Sequence, residues 1–134
     1  MQIMRANEVP SGQLEEFLQQ NETLDSEVLE EKGYIVSVKD HIAGCFVLDE
    51  MEKEDVYWLK QLYITKNEAN KLPVLLEAIL ALAKAKQAKS VYVHSHQPIV
   101  EILLEAMQFQ LQRENVFANP QPKTKGNWWY YQVS

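Results

Sequence analysis

The chain has 134 residues, 46% of them apolar, enough for one domain (1–134) with a proper core and too many for wholesale disorder. Its longest apolar stretch, residues 74–85, is broken by Glu77 and Lys84 and is too short to span a bilayer, and no basic segment followed by an apolar run opens the chain, so neither membrane nor secretion is expected. Cys45 is the single cysteine, which excludes an intrachain disulfide and suits a reducing cytoplasm.

The net charge of −6 conceals an asymmetry: residues 1–55 hold 4 Lys/Arg and 14 Asp/Glu, whereas residues 56–134 hold 9 and 5. A net acidic chain is a poor general binder of nucleic acid, because phosphate neutralisation dominates that affinity. Acidic and basic halves suit a cationic substrate and a small anionic ligand, and they are equally read as solvated surface.

Residues 2–5 read as a short edge strand, and Ser11 is the expected N-cap of a helix over 13–20, with Leu14, Phe17 and Leu18 at helical spacing. Residues 25–31 suggest a second short helix, which Gly33 stops. An alternating strand over 34–38, a turn at 39–41 and a return strand over 42–49 make a hairpin. After a polar turn at 50–54, a third strand starts at Asp55 and ends in Leu62, Tyr63 and Ile64. A loop over 66–73 leads into a helix apolar on nearly every side, with Leu75, Leu76, Ile79, Leu80 and Leu82. Such a helix is buried against a sheet. Pro73 fits only its first turn, which makes Asn70 the expected N-cap. A strand over 90–95, a helix over 98–107 and an aromatic strand over 127–133 follow.

Three smaller features carry weaker chemistry. His94 and His96 share a face if the strand continues that far, but no Asp, Glu or Cys nearby completes a ligand set, so no metal is expected. Cys45 reads as a small core residue. The run Trp128-Trp129-Tyr130-Tyr131 puts an aromatic pair on each strand face, one for the core and one for an interface within a homodimer.

The order β-α-α-β-β-β-α-β-α-β-β, an α+β mixed and mostly antiparallel sheet flanked by helices, resembles the GNAT acetyltransferase superfamily. Gln97-Pro98 at the start of the fourth helix and Phe109 after it fit that family's signatures. The resemblance implies N-acetylation of a small-molecule or peptide amine by direct transfer from acetyl-CoA, whose pantetheine would pair with backbone at Leu62, Tyr63 and Ile64. It places the pyrophosphate against Lys66, Asn70 and Lys71, with Gln97 also on the cofactor side. The family's Gln/Arg-x-x-Gly-x-Gly/Ala loop reads here Ala69-Asn70-Lys71-Leu72-Pro73-Val74, without glycine. Leu104 stands where a tyrosine often protonates the leaving thiolate, and Gln108 replaces a glycine. The frequent glutamate base falls near Trp58. A β-bulge in that strand would exchange its faces, which nominates Tyr57 for proton handling and Asp55 as a base acting through water. The acceptor side is implied to lie on the first two helices, acidic here through Glu15, Glu16, Glu22, Asp25 and Glu27, and on the loop 119–126. These losses also leave open a lapsed GNAT-like module that binds a ligand or regulates without catalysis.

Overall fold

The computed structural model describes residues 1–51, 55–112 and 126–133, and the turn expected over 50–54 and the loop over 119–126 lie largely outside these ranges. Seven strands form a sheet in the order β1-β2-β3-β4-β5-β7-β6. The element order is the expected one, and the chain divides into two compact units, residues 1–49 with 60–72 and residues 50–59 with 73–134. Among the described residues no helix is long and apolar enough to cross a membrane.

In the first unit, β1 (Gln2–Arg5) pairs antiparallel with β2 (Gly33–Val38), and β2 with β3 (His41–Glu50). The β2–β3 turn is only two residues long, Lys39 and Asp40, at φ 50° and 66°. Left-handed backbone at both centres matches the twist of a hairpin, although neither residue is the asparagine or glycine that adopts it most readily. Helix α1 (Ser11–Gln20) starts two residues earlier than expected, because the Pro10 carbonyl accepts the amides of Gln13 and Leu14. Pro10, not Ser11, is thus its N-cap. Asn21 ends the helix by turning its side-chain amide onto the Phe17 carbonyl at 2.8 Å. Helix α2 (Ser26–Lys32) is capped by Asp25, whose carboxylate accepts the Val28 amide. Leu14, Phe17 and Leu29 from these helices meet Ile35, Cys45 and Val47 from the strands. Gly33 allows β2 to start hard against α2, since a Cβ there would lie 2.5 Å from the Leu29 carbonyl oxygen.

The part of β4 (Val56–Ile64) that lies in the second unit runs parallel to β5 (Ser90–Ser95) over four pairs, Val56 with Ser90 to Leu59 with Val93. β5 and β6 (Gln110–Gln112) each pair antiparallel with β7 (Asn127–Gln132). Opposed residues share a face, so Leu59, Val93 and Trp129 point one way. Trp58 and Tyr92 point the other way, where Met51 and Trp128 join them. Trp58 and Trp128 meet edge to face at 5.2 Å, and Tyr92 stacks on Tyr130 at 5.6 Å. Trp128 and Trp129 are only 9% and 7% exposed, so neither supplies the outward face that motivated a homodimer. The large apolar residues that do stand outward in this unit include Ile99 and Ile102 of α4 (Pro98–Ala106).

A candidate active site at the end of strand β4

The last residues of β4 owe their position to two local features. The first is Gln61, which holds a φ of 56° inside the strand, beyond Tyr57 and Trp58. Its carbonyl accepts the Cys45 thiol at 3.4 Å, and its side-chain Oε1 accepts the Asp25 amide at 3.2 Å. Burial pushes the Cys45 thiol up to about 12, so it stays a protonated donor within the core.

The second feature is Gly44. A Cβ there would lie 2.2 Å from the Tyr63 carbonyl oxygen, so only glycine lets β3 approach β4 this closely. The Thr65 amide donates to the Ala43 carbonyl at 2.7 Å. The Tyr63 carbonyl and the Thr65 amide therefore face β3. Peptide groups alternate along a strand, so those of Leu62 and Ile64 face the opposite edge. The parallel register on that edge runs to Leu59, and β4 continues beyond it to Ile64.

The segment expected as an open loop is instead a 3-10 helix, Lys66–Lys71, that runs straight into α3 (Leu72–Ala85). Its amides are engaged locally, Glu68 N–H to the Thr65 carbonyl at 3.0 Å and Leu72 N–H to the Ala69 carbonyl. Asn70 lies inside this turn, which corrects its expected place as the N-cap of α3. Pro73, the second residue of α3, has no N–H to offer. Lys66 and Asn70 are exposed, and the Lys71 ammonium is bonded to the Glu68 carboxylate three residues back. A cavity of about 280 Å³ borders the segment, lined by Lys39, His41 and Ile42 of the hairpin and by Thr65, Asn67 and Glu68.

The remaining nominees stand elsewhere. Tyr57 is the second residue of β4, opposite Val91. Burial first, and then the charge of Glu50, which accepts its hydroxyl, raise its pKa above the ordinary 10, with Asp55 adding to this and Lys86 opposing. Tyr57 is thus held as a phenol, a donor and not a base. Asp55 sits in the turn before the strand, at φ 65°, with its carbonyl on the Lys89 amide at 2.7 Å. Gln97 is the N-cap of α4, where its amide donates to the buried Ser95 hydroxyl at 3.2 Å. Leu104 is 1% exposed and serves as core. His94 rests edge-on against Trp128, and burial, with neighbouring His96, lowers its pKa. The structure thus gathers Leu62, Tyr63, Ile64, Lys66, Asn70 and Lys71 on one stretch of backbone and Tyr57 with Asp55 on another. The Glu68–Lys71 pair is legible in the sequence only as an i,i+3 charge spacing, and only if the segment is read as helical.

No family model matches the sequence, and no curated protein matches it. Solved structures do. A GNAT-family acetyltransferase from Staphylococcus aureus Mu50 superposes with a TM-score of 0.73 at 16% identity, over 99% of both chains. The fold is that of the GNAT acetyltransferases. A Bacillus subtilis acetyltransferase in complex with CoA gives 0.67 at 16% identity over 92% of this chain and 93% of that one. N-acetylglutamate synthase from Neisseria gonorrhoeae, complexed with coenzyme A and N-acetyl-glutamate, gives 0.71 at 15% identity over 99% of this chain and 35% of that one. At these identities the likeness carries the GNAT fold, and chemistry has to be argued from the residues.

The strand end fits the pantetheine arm of coenzyme A, since backbone groups at Leu62 and Ile64 point to the edge away from β3 and need no particular side chain. The segment after it does not fit the pyrophosphate. Its Glu68 and Leu72 amides are engaged, Pro73 has none to offer, and a carboxylate holds Lys71.

Proposed function

We propose that this protein is an N-acetyltransferase that transfers an acetyl group directly from the thioester of acetyl-CoA to a primary amine. The observation that carries this reading is the outward edge of β4 at Leu62 and Ile64, set by the Gln61 irregularity and the Gly44 contact. The thioester supplies an activated acyl group and a thiol leaving group. The chain supplies alignment, and backbone N–H donors on the strand edge are suited to the charge that develops on the acyl oxygen. Direct transfer forms no covalent bond to the protein, so the loss of a tyrosine at Leu104 is tolerable. Tyr57, held protonated, and Asp55 stand at the start of β4 and not at this edge, so direct transfer here proceeds without them. The acidic residues of the first two helices favour a cationic amine, a small molecule or a lysine side chain, and the lone buried thiol suits a cytoplasmic setting.

A second reading, a binding module whose chemistry has lapsed, is favoured by the Glu68–Lys71 pair and by Leu104. Calorimetric titration with acetyl-CoA, followed by release of free thiol across a panel of amines, separates the two. Binding with turnover supports the transferase. Binding without turnover on any amine supports the lapsed module, and no binding at millimolar acetyl-CoA rejects the transferase.

A further inference from the structure

A thioester donor of the coenzyme A type has two parts that a protein of this fold must hold: a neutral acyl-pantetheine arm and a densely anionic nucleotide end. This chain treats them unequally. At Leu62 and Ile64 the arm meets backbone donors and acceptors that are independent of side-chain identity. Past Thr65, where phosphate oxygens need free N–H groups and positive charge, five features oppose them. The Glu68 amide is bonded to the Thr65 carbonyl at 3.0 Å. The Leu72 amide is bonded to the Ala69 carbonyl. Pro73 contributes no N–H, and no glycine lets the backbone come close. Lys71 is already paired with Glu68, a residue that lines the neighbouring cavity, so its charge is partly met before any phosphate arrives.

We propose that the donor is recognised through its acyl-pantetheine arm alone, so that the chain accepts acyl thioesters of pantetheine or 4′-phosphopantetheine at least as readily as those of coenzyme A. This rests on the transferase reading above and narrows it to a donor class. The transfer itself is unchanged in its balance. The amine nitrogen forms a bond to the acyl carbon, the carbon–sulfur bond breaks with its electron pair on sulfur, and the proton shed by the nitrogen ends on that sulfur as a thiol. Nothing in these steps needs the nucleotide. A donor of this class can be a small thioester or a phosphopantetheine carried on another protein, because the neutral arm is common to both.

The test is a ladder of three ligands on the wild-type protein: S-acetyl-pantetheine, S-acetyl-4′-phosphopantetheine and acetyl-CoA, titrated calorimetrically at about 50 mM and about 300 mM salt. We expect the three dissociation constants to agree within about fivefold, with little change between the two salts, because no formed phosphate site adds affinity. Glu68→Gln, which releases Lys71, should tighten acetyl-CoA severalfold and leave S-acetyl-pantetheine unmoved. Acetyl-CoA binding more than about fivefold tighter than S-acetyl-pantetheine, with salt weakening it, overturns the donor assignment while upholding the transferase. Failure of all three ligands to bind overturns both. Because the ladder is run on the wild-type chain, its outcome does not depend on the variant folding.

Discussion

Among the described residues six non-glycines hold a positive φ, and two of them, Gln87 at 63° and Gln108 at 73°, close helices in the same way. After α3 the Gln87 amide donates to the Lys84 carbonyl and the Ala88 amide to that of Ala83. After α4 the Gln108 amide donates to Glu105 and the Phe109 amide to Leu104. Both are Schellman closures, each sealed by a buried apolar pair, Ala83 with Ala88 and Leu104 with Phe109. Gln108 holds a backbone that glycine would favour, at the expense of local strain. Gln87→Gly and Gln108→Gly are each expected to stabilise the fold by about 0.5–1 kcal/mol in urea unfolding, the relieved φ outweighing the added freedom of the unfolded chain. Asp49 gives a pH signature. Burial opposes its ionisation, but Lys60 at 2.8 Å and Lys32 at 3.2 Å outweigh that and lower its pKa from the ordinary 3.8. A depressed pKa means stabilisation that is present above the unfolded value and lost as pH falls through the folded one. Asp49→Asn should therefore flatten the acid limb of a stability–pH curve, by about 1 kcal/mol at most given the solvent screening of Lys32.

Most elements are legible from the chain because each has a strong local signal. The alternation of residues 34–38, the punctuation at Gly33 and the apolar run after Pro73 each fix an element with little help from elsewhere. Sequence and structure part where two short-range preferences compete. Ser11 has the residue type of a cap, but the Pro10 carbonyl takes the first helical amides. Asn70 has it too, but it lies inside the 3-10 turn, where the Leu72 amide goes to the Ala69 carbonyl. The two-residue turn at Lys39 and Asp40 is one residue shorter than expected, since neither side chain advertises a left-handed backbone. Gly44 is invisible as a functional residue in the sequence, since a glycine within a strand shows its reason only against the neighbouring strand. Gly44→Ala should cost about 1–3 kcal/mol by driving β3 from the Tyr63 carbonyl. If the strand end holds the donor, the same variant should weaken thioester binding by more than its drop in urea midpoint explains.

At the scale of the whole molecule, occupancy and stability are linked. A thioester that binds only the folded chain should stabilise it by about 2.7 kcal/mol at a hundred times its dissociation constant. The melting temperature should then rise by several degrees, as a thermal scan with S-acetyl-pantetheine would show, and a flat scan at saturating ligand would speak against the site. The sequence alone determined the fold class, the order of elements, the absence of glycine from the segment before α3, and the burial of Cys45. These follow from periodicity, residue type and spacing, which are properties of the chain itself. Only the tertiary structure decided which edge Leu62 and Ile64 present, that Gln61 carries the irregularity, that Lys71 is taken by Glu68, and that both tryptophans of β7 are inside. Each of these depends on a partner distant in sequence or on how a short segment chooses between two local hydrogen-bond patterns, and free-energy differences of that size are settled by packing.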